Sequence, residues 1–253
     1  MRADRMTPAL FAIVFLALWE AAVRQFGLPS YIVPGPVAIA QAFAAAPALL
    51  LGSLVSTLLV TAVALVASCA LGVTMAAVIG LSRWARAAIL PWAIVLQVTP
   101  IVAIAPLIIV WVGDPFASLV VCATIVAFFP VFSNTLAGLS ATSPEQRDLF
   151  RLYGAGAWRS LVLLQLPAAL PYFLAGLRVS GGLALVGAVV AEFVAGSGGV
   201  ASGLAYRILE AGYRLQIPRM FAALVLLSLA GLCINAALGA LESWALERHG
   251  AGS

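Results

Sequence analysis

Charged side chains are absent between Arg24 and Arg83, and further uncharged runs occupy 87 to 113, 115 to 139, 160 to 177 and 220 to 241. Runs of this kind accommodate the roughly 20 apolar residues that carry a helix across about 30 Å of hydrocarbon. Apolar and polar positions do not alternate along them as they would in membrane barrel strands, so helices are the remaining way to satisfy the backbone in lipid. The pattern predicts an all-α integral membrane protein with about six spans. They run from Pro8 to Phe26, Ser53 to Gly80, Ala87 to Trp111, Phe116 to Leu139, Ala168 to Val194 and Met220 to Trp244. The first stretch also has the composition of a signal peptide, since Arg2 and Arg5 precede it; a membrane helix is the preferred reading.

Breaks in the pattern mark the connections. Pro29, Pro34, Gly35 and Pro36 exclude a continuous helix from Leu28 to Pro36, and an Ala-rich short helix is expected from there to about Ala46. Pro91, Pro100 and Pro106 should interrupt the third span, and Asp114-Pro115 makes a tight turn into the fourth. Residues 140 to 160 form the longest charged stretch, and a glycine-rich loop carrying Arg207, Glu210, Arg214 and Arg219 is expected before the last span.

Composition sharpens this picture. Among 253 residues, 64% are hydrophobic and 9% charged, far below the roughly 25% charged residues of soluble domains. All 13 basic residues are Arg, and they punctuate helix ends instead of clustering as a nucleic-acid surface would require. With the N-terminus inside, Arg2, Arg5, Arg83, Arg86, Arg147, Arg151, Arg159 and Arg248 are cytoplasmic, against Arg24, Arg207, Arg214 and Arg219 outside. The positive-inside rule therefore places both termini in the cytoplasm. Cys69, Cys122 and Cys233 each stand alone in an apolar run and read as small core residues, and no metal site is expected; His249 reads as a solvated tail residue.

Small residues recur every four positions at Gly176, Ser180, Ala184 and Ala188, at Gly72, Ala76 and Gly80, and at Gly231, Asn235 and Gly239. Such stripes allow helices to approach closely in lipid. No inverted internal repeat of the kind that builds a central site within one chain is visible, so a second copy is expected to complete any pathway.

Function concentrates in residues 140 to 160. Ser143-Pro144-Glu145-Gln146 has the form of a capping box with Pro at the first helical position, and Gly154 stands where a left-handed residue would end a short helix. Leu149, Phe150, Tyr153 and Trp158 give this polar segment an apolar face suited to docking.

Asp148-Leu149-Phe150, Gly154 six positions after Asp148, Leu164 ten further on, and Leu166-Pro167 resemble the EAA loop of binding-protein-dependent ABC transporter permeases. Leu149-Phe150 departs from the two alanines common there. Val33-Pro34-Gly35-Pro36, Gln97-Val98-Thr99-Pro100 through Ala105-Pro106, Pro167 through Pro171, and Ala191-Glu192-Phe193 resemble the nitrate, sulfonate and taurine branch, with its MetI-like transmembrane domain. The resemblance implies one permease domain over residues 1 to 253, in a bacterial inner membrane. Residues 144 to 154 would be a cytoplasmic coupling helix whose Asp148, Leu149, Phe150, Arg151, Tyr153 and Gly154 dock the ATPase. Implied partners are a second permease copy, two ATP-binding-cassette subunits and an external solute-binding protein, with no nucleic acid. Small oxyanions, organosulfonates and heterocyclic vitamin precursors are the implied substrates.

The absence of Lys makes an independent point: a P-loop needs its Lys, so ATP and Mg²⁺ are expected on another polypeptide, and this chain is expected to be neither an enzyme nor a cofactor carrier. The few polar residues within spans, Gln97, Thr99, Ser133, Asn134 and Glu192, are candidates for the translocation path. Interhelical hydrogen bonding is the plainer role for Gln97, Asn134 and the hydroxyls, and a carboxylate meeting external water the plainer role for Glu192. An ion-coupled carrier acting alone and a membrane scaffold are the alternatives; the carrier would want more intramembrane carboxylates or His than this chain has.

Overall fold

The computed structural model describes residues 3–196 and 202–248, with the side chains of all of these except residues 3–6, 8, 9 and 83. Arg2, His249 and part of the expected glycine-rich loop lie outside the described residues. Eleven α-helices, and no strand, are found among the described residues. Four stretches are long and apolar enough to cross a membrane: α3 (Pro47–Leu81), α6 (Pro115–Ser140), the continuous run Ala157–Ala195, and α11 (Ile217–Arg248). The bent pair α4 (Arg83–Val98) and α5 (Ile101–Val112), counted as a single broken span, would be a fifth. The remaining expected span corresponds to α1 (Ala3–Gln25), along which Leu10, Phe11, Ile13, Phe15 and Leu18 are exposed.

Three expectations need correction. The third span is not a straight crossing with three interruptions: Pro91 and Pro106 lie inside helices, and the chain bends by 104° at Thr99-Pro100 alone. The fifth helix begins well before Ala168, because α8 (Ala157–Ser160), a π-helical turn (Leu161–Gln165) and α9 (Leu166–Ala195) run on without a break. Pro167 has no N–H to donate to the preceding turn, and the π turn over Leu161–Gln165 lies where that bond would have been, whereas Pro171 sits within the regular helix. The expected loop around Arg207 and Glu210 is instead helix α10 (Leu204–Tyr213). Its apolar residues Leu204, Ala205, Ile208 and Ala211 recur with helical spacing and are buried. Cys122 is buried and Cys69 half-buried as expected, whereas Cys233 is exposed on α11.

Two compact units are distinguished by their internal contacts. The first takes in the chain up to Ser56 and the segment ending at Leu229. Its core joins Ile39 of α2 (Pro36–Ala45), Leu50 of α3, Leu204 and Ile208 of α10, and Ala222 and Ala223 of α11, with Trp19 of α1 packed against them. Here the Val33-Pro34-Gly35-Pro36 segment finds a local reason. Pro36 opens α2, Glu20 of α1 accepts a 3.1 Å hydrogen bond from Val37 N, and Gly35 leaves room for that carboxylate. Glu20 also takes the expected ion pair from Arg24 at 2.7 Å.

The second unit runs from Thr57 to Gly196 and resumes at Ala230. Its centre is the pairing of α6 with α9, set by glycine. A Cβ on Gly176 would lie 2.7 Å from Pro130 O, one on Gly138 2.8 Å from Ala169 Cα, and one on Gly187 2.8 Å from Ala123 Cα. Ser180 Oγ adds a 2.7 Å bond to Ala127 O. The α9 stripe thus packs as the sequence predicts, and Gly72 of α3 does the same against Val131 and Phe132. Around this pair, Ala76, Ile79, Ala93, Phe132 and Leu161 form the largest apolar cluster.

Candidate functional site

The polar segment after α6 folds as helix α7 (Pro144–Leu152). Ser143 Oγ accepts from Gln146 N at 3.2 Å, and Gln146 Oε1 accepts from Ser143 N at 3.1 Å, so the capping box is closed in both directions. At the other end Gly154 has φ +71°, its N–H donates to Arg151 O, and the Ala155 N–H donates to Phe150 O, both at 2.9 Å. That pair of bonds is a Schellman ending, which needs a residue tolerant of the left-handed region. A nine-residue helix is too short to persist on its own, and the two caps define its ends.

Leu149, Tyr153 and Trp158 are exposed, while Phe150 is half-buried. The exposed apolar surface of α7 also includes Leu152, at 85% exposure, which sequence reasoning missed; its place three residues after Leu149 was the available signal. Asp148 pairs with Arg151 at 3.2 Å on the exposed surface. The Ser143 hydroxyl beside Glu145 holds its carboxyl below the ordinary range.

Arg147 ties α7 to the end of α6. Its Nε donates to Thr142 Oγ1 at 2.7 Å, and its Nη2 to Leu139 O and Ser140 O at 3.3 and 3.2 Å. These carbonyls belong to the last turn of α6, whose acceptors have no partner within the helix. The arginine therefore acts as a rigid hinge pin between a membrane helix and the short exposed helix.

The candidate path residues do not converge on one place. Gln97 and Thr99, at the α4–α5 bend, line a cavity of about 330 Å³ with Pro100, Ile101, Phe129 and Leu183. Asn134 Nδ2 donates to Pro130 O at 2.9 Å and Ser133 Oγ lies 3.5 Å from the same carbonyl. Both serve their own helix, and the interhelical role expected for Asn134 is replaced by this intrahelical bond. Glu192 is not a carboxylate in external water. It is 4% exposed and accepts a 2.8 Å hydrogen bond from Thr57 Oγ1 of α3.

Arg178, the one basic residue well inside α9, donates from Nη1 to Glu242 at 3.3 Å and from Nε to Asn235 at 3.2 Å. A Cβ on Gly239 would sit 3.4 Å from its guanidinium carbon, so the glycine of the α11 stripe leaves space for a charge. Asn235 and Glu242 stand two helical turns apart, a spacing readable in the sequence, but nothing there names α9 as their partner.

The chain thus combines long apolar helices with a short, doubly capped exposed helix between two of them. The chain matches the family of binding-protein-dependent transport system inner membrane components over residues 68–246, and it belongs to that family. A probable ABC transporter permease of Haemophilus influenzae is 34% identical over 248 residues, covering 98% of each chain. The formylaminopyrimidine transport permease ThiX of Halalkalibacterium halodurans is 30% identical over 94% of each chain. The riboflavin transport system permease RibX of Chloroflexus aurantiacus is 34% identical over 91% of this chain and 85% of its own. The chain is an ABC importer permease subunit of the membrane.

Proposed function

We propose that two copies of this chain form the translocation path for a small heterocyclic solute, driven by ATP-binding-cassette subunits that dock on α7. The observation that carries this reading is α7 itself. Capped at both ends, pinned to α6 through Arg147, and exposing Leu149, Leu152 and Tyr153, it is a rigid lever with an unpaired apolar face. Asp148, Leu149, Phe150, Arg151 and Tyr153 are the docking side chains and Gly154 sets their aim. ATP and Mg²⁺ belong to the partner, whose binding shifts the permease between inward-open and outward-open states.

The α4–α5 bend supplies the solute side. Gln97 and Thr99 stand among apolar residues and Phe129 in a cavity of about 330 Å³, within the size range of small-ligand sites. An amide, a hydroxyl and an aromatic ring suit a flat heterocycle better than a compact multivalent anion. The substrates named for the formylaminopyrimidine and riboflavin relatives support the heterocyclic class. Both termini are assigned to the cytoplasm with α7, on the distribution of arginine.

The test is uptake into proteoliposomes holding the permease, with and without its ATPase and its solute-binding protein, the latter loaded with the heterocycle that it carries when purified. Uptake should require both partners and ATP. Uptake by the permease alone under an ion gradient would sink the reading. Single cysteines at Ala155 and Gly198 report orientation: an impermeant thiol reagent should label only position 198 in intact cells.

A further inference from the structure

Beside α7 lies a second feature that neither docking nor the solute path uses. Arg86 of α4 and Arg147 of α7 line a cavity of about 160 Å³ together with Ser82, Ser140 and Gln165, and no carboxylate is among its lining residues. Arg147 is held in place by Thr142, Leu139 O and Ser140 O, which leaves its Nη1 without a protein partner among the described residues. Arg86 has no side-chain hydrogen bond or ion pair there. Two guanidinium groups in one polar cavity, with no acid to neutralise them, call for an anion.

Arg86 also lines a second, larger cavity. This one is about 490 Å³ and is otherwise walled by Ala87, Leu90, Pro91 and Ile94 along α4, an apolar groove that opens outward. Trp84, exposed one helical turn before Ala87, is the kind of residue that sits at headgroup depth. A single molecule that suits both spaces has an anionic head and an aliphatic chain. We propose that this is a binding site for an anionic phospholipid, its phosphate held by Arg86 and Arg147 and an acyl chain lying along Ala87, Leu90 and Ile94. Basic pockets between membrane helices are the setting in which such headgroups bind. Because Arg147 also pins α7, an occupied site would stiffen the joint between α7 and α6.

The experiment uses the full chain in nanodiscs of mixed phosphatidylglycerol and phosphatidylcholine, with retained lipid counted by native mass spectrometry after gentle extraction. Phosphatidylglycerol should be retained preferentially, and Arg86→Gln should weaken that preference about fivefold. Ala87→Trp fills the groove and leaves both arginines. It should reduce retention of the long-chain lipid without changing the binding of a soluble glycerophosphate. Equal retention by the wild type and Arg86→Gln overturns the proposal. So does inorganic phosphate binding as tightly as phosphatidylglycerol, which would assign the cavity to a free anion. Loss of the ATPase from Arg86→Gln with unchanged lipid retention would make the occupant a protein carboxylate and also overturn it.

Discussion

Thr57 and Glu192 stand 135 positions apart in sequence and meet through a 2.8 Å hydrogen bond from the threonine hydroxyl to the carboxylate, both side chains being buried. The contact joins α3 to the last turn of α9. Thr57→Val keeps the shape and removes this donor, leaving a buried carboxylate oxygen short of it, at a cost of about 1 to 3 kcal/mol. Thermal unfolding in detergent should show the loss. Glu192→Gln, which keeps an acceptor for Thr57, should unfold closer to the wild type than Glu192→Leu; the reverse order would mean that the Thr57 bond is not what holds the carboxylate.

The α6–α9 pair rests on close approach. At Gly176 a Cβ would lie 2.7 Å from Pro130 O and 2.9 Å from Asn134 Cβ, and neither the backbone carbonyl nor the helix behind it can move aside cheaply. Gly176→Val should lower stability by about 1 to 3 kcal/mol and reduce the yield of folded protein. At Gly182 of the same helix nothing lies within 4 Å, so Gly182→Ala should leave the isolated chain's melting unchanged. Equal damage at both positions would refute the packing argument.

Gly154 is different, because no atom lies within 4 Å of where its Cβ would be, so the obstacle to substitution is its φ of +71°. Gly154→Val should cost about 1 to 2 kcal/mol locally and misaim α7. The membrane helices should be untouched. The expected result is normal insertion with reduced ATPase co-purification and uncoupled hydrolysis, while Gly154→Asn, which tolerates the left-handed region, retains most of both. Normal uptake by Gly154→Val would remove α7 from the coupling role.

Glu210 on α10 is held below its ordinary value of 4.5, first by the hydrogen bond from Arg207 and then by the charges of Arg207, Arg214 and Arg219. A carboxyl whose folded pKa is depressed contributes stability above its unfolded value, and that contribution disappears as pH falls through the folded one. Protection of the α10 amides, taken relative to their intrinsic exchange rate at each pH, should therefore be flat from about pH 8 to 5 and should fall below about 4.5. Glu210→Gln should show the same reduced protection already at neutral pH, since it removes the pairs to Arg207 at 2.8 Å and Arg214 at 3.0 Å. Protection already lost at pH 6 in the wild type would show another group to be responsible.

Whatever depends on composition and short-range spacing was legible before any fold was known. Uncharged runs named the membrane helices, because lipid penalises charge at nearly every position of a span. Ser143, Gln146 and Gly154 named both ends of α7, because caps are satisfied within a few residues of themselves. The four-residue stripe from Gly176 to Ala188 named the packing face of α9 for the same local reason. Tertiary structure alone decided the rest. Pro91, Pro100 and Pro106 look alike in sequence, and only packing selected Thr99-Pro100 as the bend, where it opens the cavity beside Phe129 and Leu183. Helix α10 was obscured by Arg207 and Glu210, which pair with each other while Arg207 also donates to Ser53 of α3. Glu192 was indistinguishable from a solvated helix end until Thr57 was brought against it, and Arg178 had no visible partner until α11 placed Asn235 and Glu242 beside α9. For Glu192 and Arg178 the deciding contacts lie across more than 50 residues of chain, where no local rule reaches and only burial chooses which polar groups must meet.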